Sequence, residues 1–260
     1  MTSEPATTAS LVRFQSIGAG LVALTLLEVM ACAVVQQSPG IELDLEVVHD
    51  ASLRSASLDG ARSFETAEGM LITLDAAYVT LSSLELVACE LAARVRPTAW
   101  RSVVWAHGTS TPTLLASPFV NGLERPDLEP ASLGLLKPPP GSYCALRVTL
   151  APADEDAAGL PANKAVVGQT LWLQGSWRKD SESTSTPLEV RSALVGTTLL
   201  SLPHAPWELT GEEPLPALRL RLAYDQWMDN VPLEIGDPDV LAVSLLTAIL
   251  DSLTLEQKLD

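Results

Sequence analysis

The feature that most constrains the fold is a set of short alternating apolar and polar segments, separated by stretches rich in proline and glycine. Residues 41–49 show it most clearly, because Ile41, Leu43, Leu45 and Val47 alternate with Glu42, Asp44 and Glu46. Alternate residues of a strand point to the same face, so this pattern predicts a strand with one buried face. His49 has the same parity as the apolar set and is expected to point inward.

Further strands are predicted within residues 70–89, 103–107, 143–150, 170–177, 188–201 and 215–224. Residues 112–140 contain Pro112, Pro118, Pro126, Pro130 and a run of three prolines at 138–140, so they are predicted to form a long connection. Only the C-terminal part is helical by its spacing, from a cap at Asp237 or Asp239 to about Leu253. These patterns predict an all-β fold, an antiparallel immunoglobulin-like β-sandwich with long Pro-rich loops and a C-terminal helix.

The N-terminal residues are typical of an export signal. An apolar run over residues 16–30 follows Arg13 and is too short for a comfortable membrane span. Residues 29–32 (VMAC) resemble a lipobox, in which Cys32 would be lipidated; cleavage near Ala31 and an uncleaved anchor are the alternatives. We therefore expect a signal peptide over 1–32, a tether over 33–40 and one domain over 41–260, in a periplasmic or outer-membrane lipoprotein.

Charge and motifs exclude several classes of function. The net charge of −16 makes nucleic acid an improbable partner, because phosphate backbones would be repelled. The chain lacks the common nucleophile-elbow, phosphate-loop, zinc-protease and Cys-x-x-Cys motifs, so we predict a protein that is not an enzyme. A hydrolase would need a histidine within reach of both a serine and a carboxylate. The acidic run at 154–156 lacks the ligand pattern of a calcium loop and is expected to be solvated.

Cys89 and Cys144 are the two cysteines beyond Cys32. In an exported protein such a pair usually forms a disulfide. The alternative is a pair of soft metal ligands, but neither has a nearby cysteine or histidine in the sequence.

Two residues, Trp105 and His107, could act together, because residues two apart in a strand share a face. Residues 78–82 after Gly69, and residues 133–134 leading into 139–144, resemble the methanobactin-associated copper-binding (MbnP-like) family, as does the C-terminal helix. The resemblance spans residues 41–260 as scattered motifs. It implies an exported β-sandwich that binds copper for acquisition or storage, and a diheme c-type peroxidase-like oxidase as its partner.

The same resemblance implies a Cu(I) ion held by two histidines beside a tryptophan that the oxidase has modified. The Trp-x-His motif carries over to Trp105 and His107, and the second ligand would be His49 or His204. His49 is slightly preferred for its inward parity, while flanking prolines place His204 in a rigid loop. Each histidine can equally be a packed residue without metal. The alternative function is a metal-free surface adhesion or interaction module. For either function, the membrane is expected to be contacted only through the N-terminal lipid.

Overall fold

The strands and helices are given by a computed structural model that describes residues 41–51, 55–58, 61–92, 111–179, 184–210 and 217–258. The predicted signal peptide, tether and lipidation site at Cys32 lie outside these residues, as does the strand predicted at 103–107. The elements in chain order are β1 Leu43–Asp50, β2 Ser55–Leu58, β3 Ala61–Glu65, β4 Met70–Ala88, α1 Cys89–Ala92, β5 Leu114–Leu115, β6 Phe119–Gly122, β7 Ala131–Leu136, β8 Gly141–Leu150, β9 Leu171–Lys179, β10 Thr186–Ser192, β11 Gly196–Ser201, β12 Trp207–Leu209, β13 Leu218–Ala223, α2 Pro238–Ser252 and β14 Leu253–Gln257.

Two sheets form the all-β sandwich. The smaller has four strands in the order β14-β13-β1-β7, and the larger has ten. Their facing side chains make one core, to which β1 contributes Leu43, Leu45 and Val47, all at most 2% exposed. The alternation in residues 41–49 is confirmed, because Glu42 and Asp44 on the opposite parity are exposed.

Strand β4 organises the larger sheet. Its first half pairs with β9 on one edge and its second half with β8, while β3, β6 and β5 follow one another along the other edge. Irregularities in register at Leu74/Ala76 and Leu81/Ser83 interrupt these ladders. Such bulges bend a strand and increase its twist, so one strand serves two neighbourhoods of the sheet.

One pairing differs from the antiparallel prediction. β1 and β13 are parallel, from Leu45↔Leu218 to Asp50↔Ala223. A tight hairpin can join consecutive strands only in antiparallel order, whereas parallel strands need a long connection. No such hairpin can link these two, because β2 to β12 lie between them in the chain.

The C-terminal helix α2 begins as predicted. The carboxylate of Asp237 accepts hydrogen bonds from the backbone N–H groups of Asp239 and Val240, and Pro238 occupies the first helical turn. An N-cap acceptor and an early proline both favour a helix start. Buried residues of α2, among them Leu245, Leu246 and Ile249, join the core. Within the described residues, no helix combines the length and hydrophobicity needed to cross a bilayer.

Cys89 and Cys144 form the predicted disulfide. The bond joins α1, directly after β4, to β8, and Cys144 lies beside the positions where β8 pairs with Val87 and Ala88. We refer to α1, Cys144 and the adjoining positions Val87 and Ala88 of β4 as the disulfide end.

Candidate functional site

The predicted copper ligands are only partly within the described residues. Trp105 and His107 lie outside them, whereas His49 and His204 are described. The surroundings of His49 and His204 differ in burial, in hydrogen bonding and in position along β4.

His49 is completely buried near the end of β1. Its Nε2 lies 3.0 Å from the backbone oxygen of Arg125, and its Nδ1 lies 3.5 Å from the side-chain nitrogen of Asn121. Both ring nitrogens therefore have protein partners, one at ordinary hydrogen-bond distance and one at the long limit.

The neighbouring side chains determine which ring nitrogen of His49 carries the proton. The guanidinium of Arg125 donates a hydrogen bond to Oδ1 of Asn121, which turns the amide NH₂ of Asn121 toward Nδ1 of His49. Nδ1 then accepts, and Nε2–H donates to the Arg125 carbonyl, which has no proton of its own to give. The arrangement fits a neutral imidazole.

Burial lowers the pKa of His49 below its ordinary value. The hydrogen bond to the Arg125 backbone opposes this effect, while the positive charge of the Arg125 guanidinium adds to it. The carboxylate of Asp127 also raises the pKa, but the net direction is downward.

Arg62 of β3 holds the same region from the other side. Its guanidinium donates to the backbone oxygens of Leu123 at 3.2 Å and Arg125 at 2.6 Å, and lies 3.1 Å from a carboxylate oxygen of Asp127. The hydroxyl of Tyr224 donates to the other oxygen of Asp127 at 3.0 Å. We call the set His49, Arg62, Asn121, Arg125, Asp127 and Tyr224 the His49 network.

The hydrogen bonds of the His49 network mainly hold the connection between β6 and β7 in place. The segment from Leu123 to Glu129 joins β6 to β7, and it receives hydrogen bonds from Arg62 and donates its Leu128 N–H to the His49 carbonyl. In the described part of the chain, no hydrogen bond links either histidine to a serine, as the hydrolase alternative would require. Nor do the described residues contain a group of three or more His, Cys, Asp or Glu side chains placed to hold a metal ion.

His204 is exposed in the loop between β11 and β12. Its backbone has a left-handed φ of 58°. The loop is held on both sides of it, because Trp207 Nε1 donates to the Pro203 carbonyl at 2.7 Å and Leu202 N–H donates to the Cys144 carbonyl at 3.0 Å. This loop presents an imidazole to solvent at the disulfide end.

Neither described histidine belongs to β4, but the residues that hold each of them pair with β4 at different points along its length. Asn121, which contacts His49, pairs with Val79, whereas the Cys144 carbonyl that holds the His204 loop lies beside the partner of Val87. Eight residues of strand separate these points, a path of about 25 Å at the usual rise per residue. The structure does not bring His49 and His204 into one site.

Trp105 and His107 belong to the segment 93–110. The described residues on both sides of this segment lie at the disulfide end. The segment leaves from α1, beside the disulfide, and the chain returns where the Thr113 carbonyl accepts from Leu86 N–H. Three residues lie between His107 and Thr111 in the sequence.

The His49 network was missed by the sequence analysis except for His49 itself. Its members come from β1, β3, β6, the β6–β7 connection and the turn after β13, so no local spacing marks them. The one usable signal was Arg62, which shares strand parity with the buried Phe64 and is only 9% exposed.

Comparisons of the chain with protein-family models, with curated proteins and with solved structures find no match. The resemblance to the MbnP-like family therefore stays a prediction.

Proposed function

We propose that this chain is an exported copper-binding protein whose site lies at the disulfide end and uses His204, with Trp105 and His107, rather than His49. The observation that carries the choice is topological. Both described ends of the segment bearing Trp105 and His107 adjoin the strands that hold the His204 loop.

The chemistry of the donors supports the same choice. A Cu(I) ligand needs an imidazole nitrogen with a free lone pair, and imidazole suits copper. The exposed His204 can offer one, whereas the Nδ1 lone pair of His49 faces Asn121 and its Nε2 proton faces a carbonyl. Cys89 and Cys144 offer no thiolate ligand, because they are bonded to each other.

Modification of Trp105 by a diheme oxidase and lipidation at Cys32 belong to the same proposal. Opening the indole ring would create an aryl amine and a carbonyl that can approach a metal. A peptide mass of unmodified Trp105 in protein from the native host would remove the oxidase from the proposal. Release from membranes after Cys32→Ser would support the lipid anchor, and unchanged release would contradict it.

Copper titration tests the site directly. Purified protein is loaded with Cu(I) without oxygen, and retention is measured against a chromogenic Cu(I) chelator. Loss of an outer partner of a ligand typically lowers metal affinity about 10–100-fold, so His107→Ala and His204→Ala should each lower it by at least that factor. His49→Gln is the matched control and should retain wild-type affinity.

Each other outcome is informative. Unchanged affinity in His107→Ala rejects the copper assignment. Loss of copper in His49→Gln, with retention in His204→Ala, moves the site to the other end of β4.

A second candidate, the metal-free interaction module, is favoured by the outer surface of α2. Val240 and Val243 are each 41% exposed and lie three residues apart, so they share one side of the helix. A photo-crosslinking residue at position 243, with one at the exposed Glu208 as control, would test this surface in the native host. Crosslinks specific to position 243 that Val240→Asp abolishes, in a protein without copper, would favour this candidate.

A further inference from the structure

The His49 network has a property that neither proposed function uses: its hydrogen-bond directions favour the neutral imidazole. The amide of Asn121 is oriented by the Arg125 guanidinium, and it turns its NH₂ group toward Nδ1 of His49. A proton on Nδ1 would place one donor against another. Turning the Asn121 amide to relieve this contact would in turn place NH₂ against the donors of Arg125.

The positive charge of the Arg125 guanidinium also disfavours a proton on the ring, whereas the Asp127 carboxylate favours one. Arg62 from β3 and Arg125 from the β6–β7 connection are positive, and Asp127 is the one carboxylate of the network, 3.9 Å from Nε2. That carboxylate is already bound by Arg62 and by the Tyr224 hydroxyl. On β13, the partner of His49 is the apolar Leu222. The neighbouring Arg221 and Asp50 bond to each other, and their side chains lie on the face of the sheet opposite to His49.

The connection held by this network is a discrete segment. Besides the bonds of Arg62 to the backbone at Leu123 and Arg125, it is fixed by Leu128 N–H donating to the His49 carbonyl at 2.9 Å. Arg125 ties its own side chain to the Glu129 carbonyl at 3.1 Å. Because the Arg125 side chain bonds both Asn121 and the Glu129 carbonyl, a change at the Arg125–Asn121 contact alters the hydrogen bonds within residues 125–129.

We propose that His49 is a proton-sensitive latch: taking up a proton breaks the His49–Asn121–Arg125 relay and releases the segment 125–129 from the end of β1. The step is a simple protonation, in which a solvent proton binds Nδ1 and the amide of Asn121 loses its acceptor. The rest of the sandwich keeps its pairing, because the segment contributes to neither sheet.

Amide hydrogen exchange and NMR titration test the latch. At neutral pH, ¹⁵N shifts of His49 should show the Nε2–H tautomer. The imidazole should stay neutral below pH 6.5. In the open state it would titrate near its ordinary value, so the protection factor of Leu128 N–H should fall as the pH drops below 6.5, by up to about tenfold per unit.

A core amide separates the latch from general acid unfolding. Thr170 N–H donates to the Ser192 carbonyl at 2.7 Å, and neither residue belongs to the segment 125–129. Its protection should stay constant over the range in which that of Leu128 falls. Equal falls at both amides, an Nδ1–H tautomer, or a protection of Leu128 that is independent of pH would each overturn the proposal.

Asn121→Asp provides the matched variant. Its carboxylate can accept from both Arg125 and a protonated Nδ1, so the charged ring fits. The pKa of His49 should rise relative to the wild type, and the acid-dependent exchange of Leu128 should disappear. If the variant does not fold, the tautomer and exchange measurements on the wild-type protein still decide the question.

Discussion

Removing the guanidinium of Arg62 should destabilise the fold by several kcal/mol, because this one side chain serves three acceptors. Arg62→Met keeps an aliphatic stem of similar length but leaves the Leu123 carbonyl without the guanidinium that donates to it. A buried acceptor left unpaired costs about 2 kcal/mol.

The other two interactions of Arg62 are weaker. The Arg125 carbonyl keeps its bond from His49, so its loss is about 1 kcal/mol. The ion pair with Asp127 contributes about 1 kcal/mol, because that carboxylate is 32% exposed and solvent screens it. We expect Arg62→Met to lower the free energy of unfolding by about 4 kcal/mol, and Arg62→Lys, which can keep one acceptor, by about 2 kcal/mol.

Urea unfolding of the purified protein, followed by tryptophan fluorescence, measures both values. Lys137→Met is the control, because it breaks an exposed ion pair with Glu42 and should change stability by less than about 1 kcal/mol. A change for Arg62→Met no larger than that of the control would refute the reasoning. So would an Arg62→Lys variant as unstable as Arg62→Met, because a point charge should replace part of the network.

Three further predictions concern the fold. Replacing Cys89 and Cys144 by alanine should lower the free energy of unfolding by about 4 kcal/mol, since the bond closes a loop of 55 residues, and urea unfolding with and without reductant checks this value. Gly175→Ala should lower the melting temperature strongly, because a Cβ there would lie 2.0 Å from a backbone oxygen of β4, whereas Gly141→Ala meets only ordinary contacts. The lowered pKa of His49 means that its contribution to stability is complete above pH 6.5 and is lost as the pH falls through the folded-state pKa. Unfolding free energies at pH 7.5 and 5.5 should therefore differ more for the wild type than for His49→Gln, and equal differences would contradict this assignment.

The sequence predicted the elements whose patterns are local. Strand β1, the strand β4 and the cap of α2 at Asp237 follow from alternation, apolar content and capping chemistry. The disulfide followed from the number of cysteines and the expected compartment. The strand and cap inferences use information contained within a few residues, whereas the disulfide uses the cysteine count of the whole sequence.

Errors appeared where tertiary contacts override local signals. The Pro-rich region 112–140 contains β5, β6 and β7, because all seven of its prolines fall between strands rather than within them. The strand predicted over 188–201 is two strands, β10 and β11, and the residues after α2 form β14 on the edge beside β13.

The candidate site was predictable only in part. The inward direction of His49 was confirmed, since strand parity determines it. Its partners were not predictable, because Asn121 and Arg62 reach it through pairings with β4 that depend on the whole sheet. The choice between His49 and His204 required the same information, since distance along β4 is a property of register.

The parallel pairing of β1 with β13 has a consequence for biosynthesis. Glu46 and Arg219, which bond across these strands, are 173 positions apart in the chain. A nascent polypeptide cannot complete the smaller sheet until β14 (Leu253–Gln257) has emerged from the ribosome, and contacts this distant slow folding. Until then β1 lacks its partner strand β13, and the apolar core that both strands share stays incomplete.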